Sequence, residues 1–161
     1  MRAPTLLLAL LFANVASAAP YAAGDSMEPL SLEDQHDEAH SLDGSVEVVL
    51  FSRDMEGGDL LEEALADTPK GFLGEKHALY VADIHGMPSF VARMFAIPSM
   101  RKRPYSMLLD RTGEVTARFP SEEGKATLLF LDDLGIERVF YAASPNQIRE
   151  ALGLPQQVKA D

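Results

Sequence analysis

The chain has 161 residues, a length that suggests one domain. Apolar residues make up 47% and charged residues 24%, so the chain can build a core and is not wholly disordered. Its formal net charge of −11 argues against a binder of nucleic acid or anionic lipid, since both rely on a surplus of Lys and Arg. It contains no cysteine, which excludes a disulfide scaffold, an iron–sulfur site, a thiolate nucleophile and a CxxC redox centre.

Met1 to Pro20 reads MRAPTLLLALLFANVASAAP. Arg2 supplies a positive start, Leu6 to Val15 is apolar apart from Asn14, and Ala16-Ser17-Ala18 is a small-x-small cleavage site. This pattern predicts a secretory signal peptide over 1–18, too short in its apolar run to be a membrane span. Cleavage after Ala18 leaves no other segment long and apolar enough to cross a bilayer. The expected product is periplasmic or secreted. It has a lead-in over 19–27, one domain over 28–153 and a disordered tail over 154–161.

Leu30 to Leu32 and Ala39 to Leu42 alternate around the polar run Glu33 to Glu38, which predicts an N-terminal hairpin. Val46 to Phe51 is nearly continuous in apolar and β-branched residues, as in a central strand buried on both faces. Asp59, with Glu62 in capping-box spacing, predicts a helix carrying Leu60, Leu61, Ala64 and Leu65 inward. Ala78 to Ala82 is a second apolar strand. Pro88 opens another helix, with Phe90, Val91, Met94 and Phe95, that Pro98 is expected to stop. Tyr105 to Leu109 and Val115 to Phe119 read as strands joined by the turn Asp110-Arg111-Thr112-Gly113. Thr127 to Leu131 and Ile136 to Ala142 form a hairpin around Asp132-Asp133-Leu134-Gly135. Ser144 caps a last helix that has Pro145 at its first position. A βαβ unit followed by a hairpin and a closing helix implies a mixed sheet with helices on both faces.

This order, with LSLEDQH, SLDG and VVLFSR near the start and TLLFLDDLGIERVFYAASPNQIREALG at the end, resembles the redoxin branch of the thioredoxin superfamily over residues 28–153. The segment FAIPSMRKRPYSMLLDRTGEV is similar to a peroxiredoxin-like strand ending in Asp and a Gly turn. The signal peptide, the paired D-x-x-G turns and the acidic link Pro120-Ser121-Glu122-Glu123 also resemble the YtfJ family of small, secreted, cysteine-poor proteins. The resemblance implies a thioredoxin-like α/β fold with an N-terminal hairpin. In catalytic redoxins a reactive Cys follows the first central strand at a helix N-terminus. Here that place is Ser52-Arg53-Asp54-Met55-Glu56-Gly57-Gly58-Asp59. Ser52 is its only hydroxyl and has no nearby His in sequence to activate it. A redoxin cis-Pro would fall near Ala126, where there is no proline.

Four groups are candidate site residues. The loop Ser52 to Asp59 lies at the carboxyl end of a central strand, where open α/β sheets bind ligands. Gly57 and Gly58 there allow close backbone approach, and Arg53 is positioned to hold an anion; a flexible turn and a capped helix explain the same residues. His36 and His40, four apart among carboxylates, have metal-like spacing, but the segment reads better as a solvated acidic turn. Asp83 and His85 are arranged for acid–base pairing or for ordering the loop Gly86-Met87-Pro88. Arg101-Lys102-Arg103, the one basic cluster, suits an acidic partner or a local charge balance.

The expected function is an exported, cysteine-free, non-catalytic domain that binds a protein or peptide in the cell envelope. The contact surface runs from Ser52 to Asp59, with Arg101 to Arg103. No cofactor and no nucleic acid are expected, and the oligomeric state is left open. Two alternatives stand beside it: a cofactor- or metal-dependent oxidoreductase-like enzyme using His36, His40, Asp83 and His85, and a weak metal-binding protein. On the partner-binding reading Arg53→Ala with Asp54→Ala leaves the melting temperature nearly unchanged and abolishes partner capture.

Overall fold

A computed structural model describes residues 18–157. The signal-peptide reading lies outside the described residues, apart from Ala18, as does the tail from 158 on. Among the described residues there are seven strands: β1 (Leu30–Glu33), β2 (Ala39–Leu42), β3 (Val48–Ser52), β4 (Ala78–Asp83), β5 (Met107–Asp110), β6 (Ala126–Asp132) and β7 (Gly135–Ala142). Between them run α1 (Met55–Leu65), α2 (Phe72–Glu75), α3 (Ser89–Val91), α4 (Ile97–Met100) and α5 (Pro145–Ala151). A π-helical turn (Ala92–Ala96) joins α3 to α4.

β1 and β2 form the antiparallel N-terminal hairpin. The other five strands form a mixed sheet in the order β5-β4-β3-β6-β7. The apolar run read as a central strand is β3, in the middle: parallel to β4 and antiparallel to β6. Strand periodicity divides its side chains between two cores. Leu50 packs with Leu61 and Leu65 of α1, Tyr80, Leu128 and Ile148. Val49 and Phe51 pack on the opposite face with Met27, Leu42, Val81, Leu108, Phe119 and Leu129. The lead-in helps close that second core. Met27 is buried, and its amide donates to the Leu134 carbonyl at 2.9 Å.

Three local expectations are corrected. The first helix starts at Asp54, not Asp59: Asp54 Oδ1 accepts from the Gly57 amide at 2.7 Å and Oδ2 from the Gly124 amide at 2.9 Å. Asp54 is the cap because a second segment supplies a donor to it, so the supposed loop from Met55 to Asp59 is helical. Pro98 does not stop its helix. The π turn shifts the hydrogen-bond register, with the Ile97 amide donating to the Ala92 carbonyl, and Pro98 falls in the first turn of α4, where its missing N–H costs nothing. Val115 to Phe119 is a compact turn rather than a strand. Asp110 takes the amides of Thr112, Gly113 and Thr116, and Arg53 takes the carbonyls of Thr116 and Phe119. Those backbone groups are therefore not available to a sheet ladder. The turn Asp110 to Gly113 is consequently not a hairpin turn, whereas Asp132 to Gly135 is.

The tail is held as far as Gln157. Arg149 Nε donates to the Pro155 carbonyl at 2.6 Å, and the Gln157 amide donates to Asn146 Oδ1 at 2.9 Å.

Candidate functional site

The carboxyl ends of β3 and β4 open into a cavity of about 680 Å³ between α1 and the α3–α4 helix. Ser52, Tyr80, Ala82 and Met107 contribute from the strands, Gly58 and Glu62 from α1, and Val91, Ala96 and Met100 from the opposing helix. Of the loop read as a candidate site, Ser52, Arg53, Asp54, Met55, Gly58 and Asp59 line this cavity. Glu56 is exposed and Gly57 is buried, and neither lines it.

Its chemistry is set by what each side chain already holds. The Ser52 hydroxyl is buried and shares a hydrogen bond with the Tyr80 hydroxyl at 3.3 Å. Burial pushes the Tyr80 phenol well above its ordinary range, against a lowering by the Ser52 hydrogen bond, so it stays neutral. Neither group is a base for the other at physiological pH.

Arg53 is not a free anion holder. Its Nε donates to Ser121 Oγ at 2.9 Å, Nη1 to Asp83 Oδ2 at 2.8 Å, and Nη2 to the carbonyls of Thr116 and Phe119 at 2.7 and 3.0 Å. The guanidinium also sits 5.0 Å from the Phe51 ring centroid. The expected indifference of the melting temperature to Arg53→Ala with Asp54→Ala is thus corrected: one residue ties three segments together and the other caps α1.

Asp83 and His85 do pair. His85 Nδ1 lies 2.6 Å from Asp83 Oδ1, and the His85 amide donates to the same oxygen at 3.1 Å. The Asp83 carboxylate is fully buried between this imidazole and Arg53, while about half of the His85 side chain is exposed. Asp83 lines the cavity but His85 does not. Behind them Asp110 faces Asp83 across the β4–β5 register. Burial alone would raise the Asp110 carboxyl, but the donors Thr116, Gly113 and Thr112 outweigh it and hold it below its usual value.

The basic cluster is divided. Arg101 Nε donates to the Gln35 carbonyl at 2.6 Å and its guanidinium pairs with Asp37. Arg103 pairs with Glu62 at the cavity wall. Lys102 is exposed. The metal-like histidines are also separated in role. His40 Nε2 lies 2.9 Å from the buried Asp34, and ligand atoms of Asp34, Glu38 and His40 fall within 4.8 Å of one another. His36 is exposed and outside that group.

Sequence reasoning missed Tyr80, Gln35, Asp110 and Thr116. Gln35 is fully buried, accepting from the Met107 amide at 2.7 Å and donating to the Tyr105 carbonyl at 2.8 Å. The available signal was a lone hydroxyl in the aliphatic strand ALYVA, since a buried Tyr needs a partner for its O–H.

The comparisons with known proteins agree on the architecture. A peroxidoxin from Mycobacterium tuberculosis is 21% identical with a TM-score of 0.51, over 81% of this chain and 94% of that one. A peroxiredoxin-like protein from Aquifex aeolicus is 9% identical with a TM-score of 0.53, over 85% and 89%. The thioredoxin domain of a thiol-disulfide oxidoreductase from Bacteroides vulgatus is 14% identical with a TM-score of 0.50, over 82% and 99%. No protein-family model matches the chain, and no curated protein matches it in sequence. The chain has a thioredoxin-like fold, and it has no cysteine.

Proposed function

We propose that this is an exported thioredoxin-like protein, akin to the YtfJ family, that binds a protein or peptide in the cell envelope and performs no chemistry on it. One observation carries the reading: the cavity beside α1 is lined by Ala82, Ile84, Met100 and Met107 as well as by its polar groups, and its rim carries exposed apolar side chains, Met55 at 73% and Val91 at 40% exposure. Asp59 and Glu62 add carboxylates to the α1 wall. Such a cavity suits an extended peptide that inserts one apolar side chain and carries a basic residue beside it. The polar groups at its base are hydrogen-bonded to one another, which favours holding a ligand over attacking one.

The test uses Gly58. Gly58 lines the cavity and a Cβ there meets nothing closer than 3.8 Å, so Gly58→Leu is the substitution chosen to fill it. Peptides selected from a displayed library should share an apolar residue next to Lys or Arg. Gly58→Leu should abolish their binding without lowering the melting temperature. Binding that survives Gly58→Leu removes the cavity as the contact surface. Native mass spectrometry of protein recovered from the exported fraction should give the mass of residues 19–161. A stoichiometric small-molecule or metal adduct there would instead favour the cofactor-dependent reading.

A further inference from the structure

A second cleft, of about 500 Å³, lies on the other side of the α3–α4 helix, against the β1–β2 turn. Three arginines converge on it: Arg93 from the π turn, Arg101 just after α4, and Arg111 just after β5. This is an unusual concentration of cations for a chain of net charge −11. The rest of the wall includes Ile84, Met87 and Ile97. Two carboxylates face the arginines, and Glu33 Oε2 takes only Arg111, at 3.2 Å. Asp37 takes Arg101 on Oδ2 at 3.0 Å and Arg111 on Oδ1 at 3.2 Å. Among the described residues Arg93 has no ion pair.

Asp37 is delivered there by the turn and not drawn in by its partners. The turn is anchored independently: buried Gln35 bonds to β5 and its approach, and buried Asp34 accepts from the His36 and Glu38 amides. Asp37 itself has φ of 64°, a conformation that favours Gly or Asn over most side chains. The turn thus places a carboxylate between Arg101 and Arg111.

We propose that this cleft binds a small amphiphilic carboxylate. Its head lies among Arg93, Arg101 and Arg111, and its tail lies on Ile84, Met87 and Ile97. Asp37 is its tethered competitor. A volume of this size holds a small ligand, and a mixed wall of guanidinium and aliphatic groups matches a charged head on an apolar body better than a bare inorganic ion. The inference does not depend on peptide binding at the first cavity, which Gly58→Leu tests separately.

The probe is decanoate, below its micelle concentration, titrated into the 15N-labelled protein with decanol and inorganic phosphate as controls. Decanoate should shift the amides of Arg93, Ile97 and Arg111, and each control should shift them far less. Arg93→Gln should weaken decanoate about tenfold through loss of a charge-assisted contact. Asp37→Asn, which keeps a side chain suited to the positive φ, should tighten it about threefold by removing a like charge. Equal binding of decanol, equal shifts with phosphate, shifts confined to Ser52 and Gly58, or indifference to both substitutions would each overturn the proposal.

Discussion

Adjacent glycines in α1 have opposite requirements. A Cβ on Gly57 would lie 2.5 Å from the Lys125 carbonyl oxygen, and backbone cannot yield there. Gly57→Ala should therefore destabilise the fold by about 1–3 kcal/mol, as overpacking does. Gly58 has room, and alanine is the better helix former, so Gly58→Ala should stabilise by about 0.5–1 kcal/mol. Urea unfolding of the two variants reads both signs. Arg53 is the other residue on which the site depends. Its removal leaves two carbonyls and a fully buried carboxylate without their guanidinium, although His85 still faces Asp83. Arg53→Ala should cost about 2–3 kcal/mol, discounted because Arg53 itself is 29% exposed. An unchanged unfolding midpoint would show that the clamp is dispensable.

At the scale of elements, the turn after β5 owes its shape to one carboxylate. Asp110 is held below its ordinary value of 3.8, so the unfolded chain binds a proton more readily than the folded one. The stability it contributes is complete above about pH 4–5 and is lost as pH falls through its lowered folded value. Asp34 is lowered in the same sense: burial opposes the shift, and the His36 and Glu38 amides and His40 outweigh it. Unfolding free energies measured from pH 7 down to 2.5 should fall on the acid side, and Asp110→Asn should flatten that fall while lowering stability at pH 7. A variant with the same acid slope as the parent would mean that other carboxylates dominate. The π turn shows a similar dependence on one residue, since the register shift lets a helix pass through Pro98.

For the whole molecule, the sheet is a wall between two cores, and β3 is its axis. Leu50 is fully buried, opposite Tyr80 on β4 and Leu128 on β6. Leu50→Asp places an unpaired charge there at a cost of several kcal/mol, comparable with the entire stability of a domain this size. The variant should be unfolded by circular dichroism. A folded, soluble Leu50→Asp would contradict the central position of β3. Arg149 joins the two helices on one face. It is buried, donates to the Ala64 carbonyl at 2.8 Å and pairs with Asp67, which ties α5 to α1.

The strands β1 to β7, the hairpins β1–β2 and β6–β7, the last helix and its cap, and the absence of cysteine were legible in the sequence, because each depends on a segment's own periodicity, turn residues or composition. VVLFS had to be buried on both faces, and SPNQ had to open a helix, whatever surrounded them. Tertiary structure decided where long polar side chains spend their hydrogen bonds. Arg53 meets partners 30 to 68 residues away, Asp54 is selected as a cap by the amide of Gly124, and Val115 to Phe119 lost its strand to Asp110 and Arg53. The two clefts belong to the same class. A local pattern reports what a segment must bury, but a cavity is the space left between segments, and its walls exist only after the chain has closed around it.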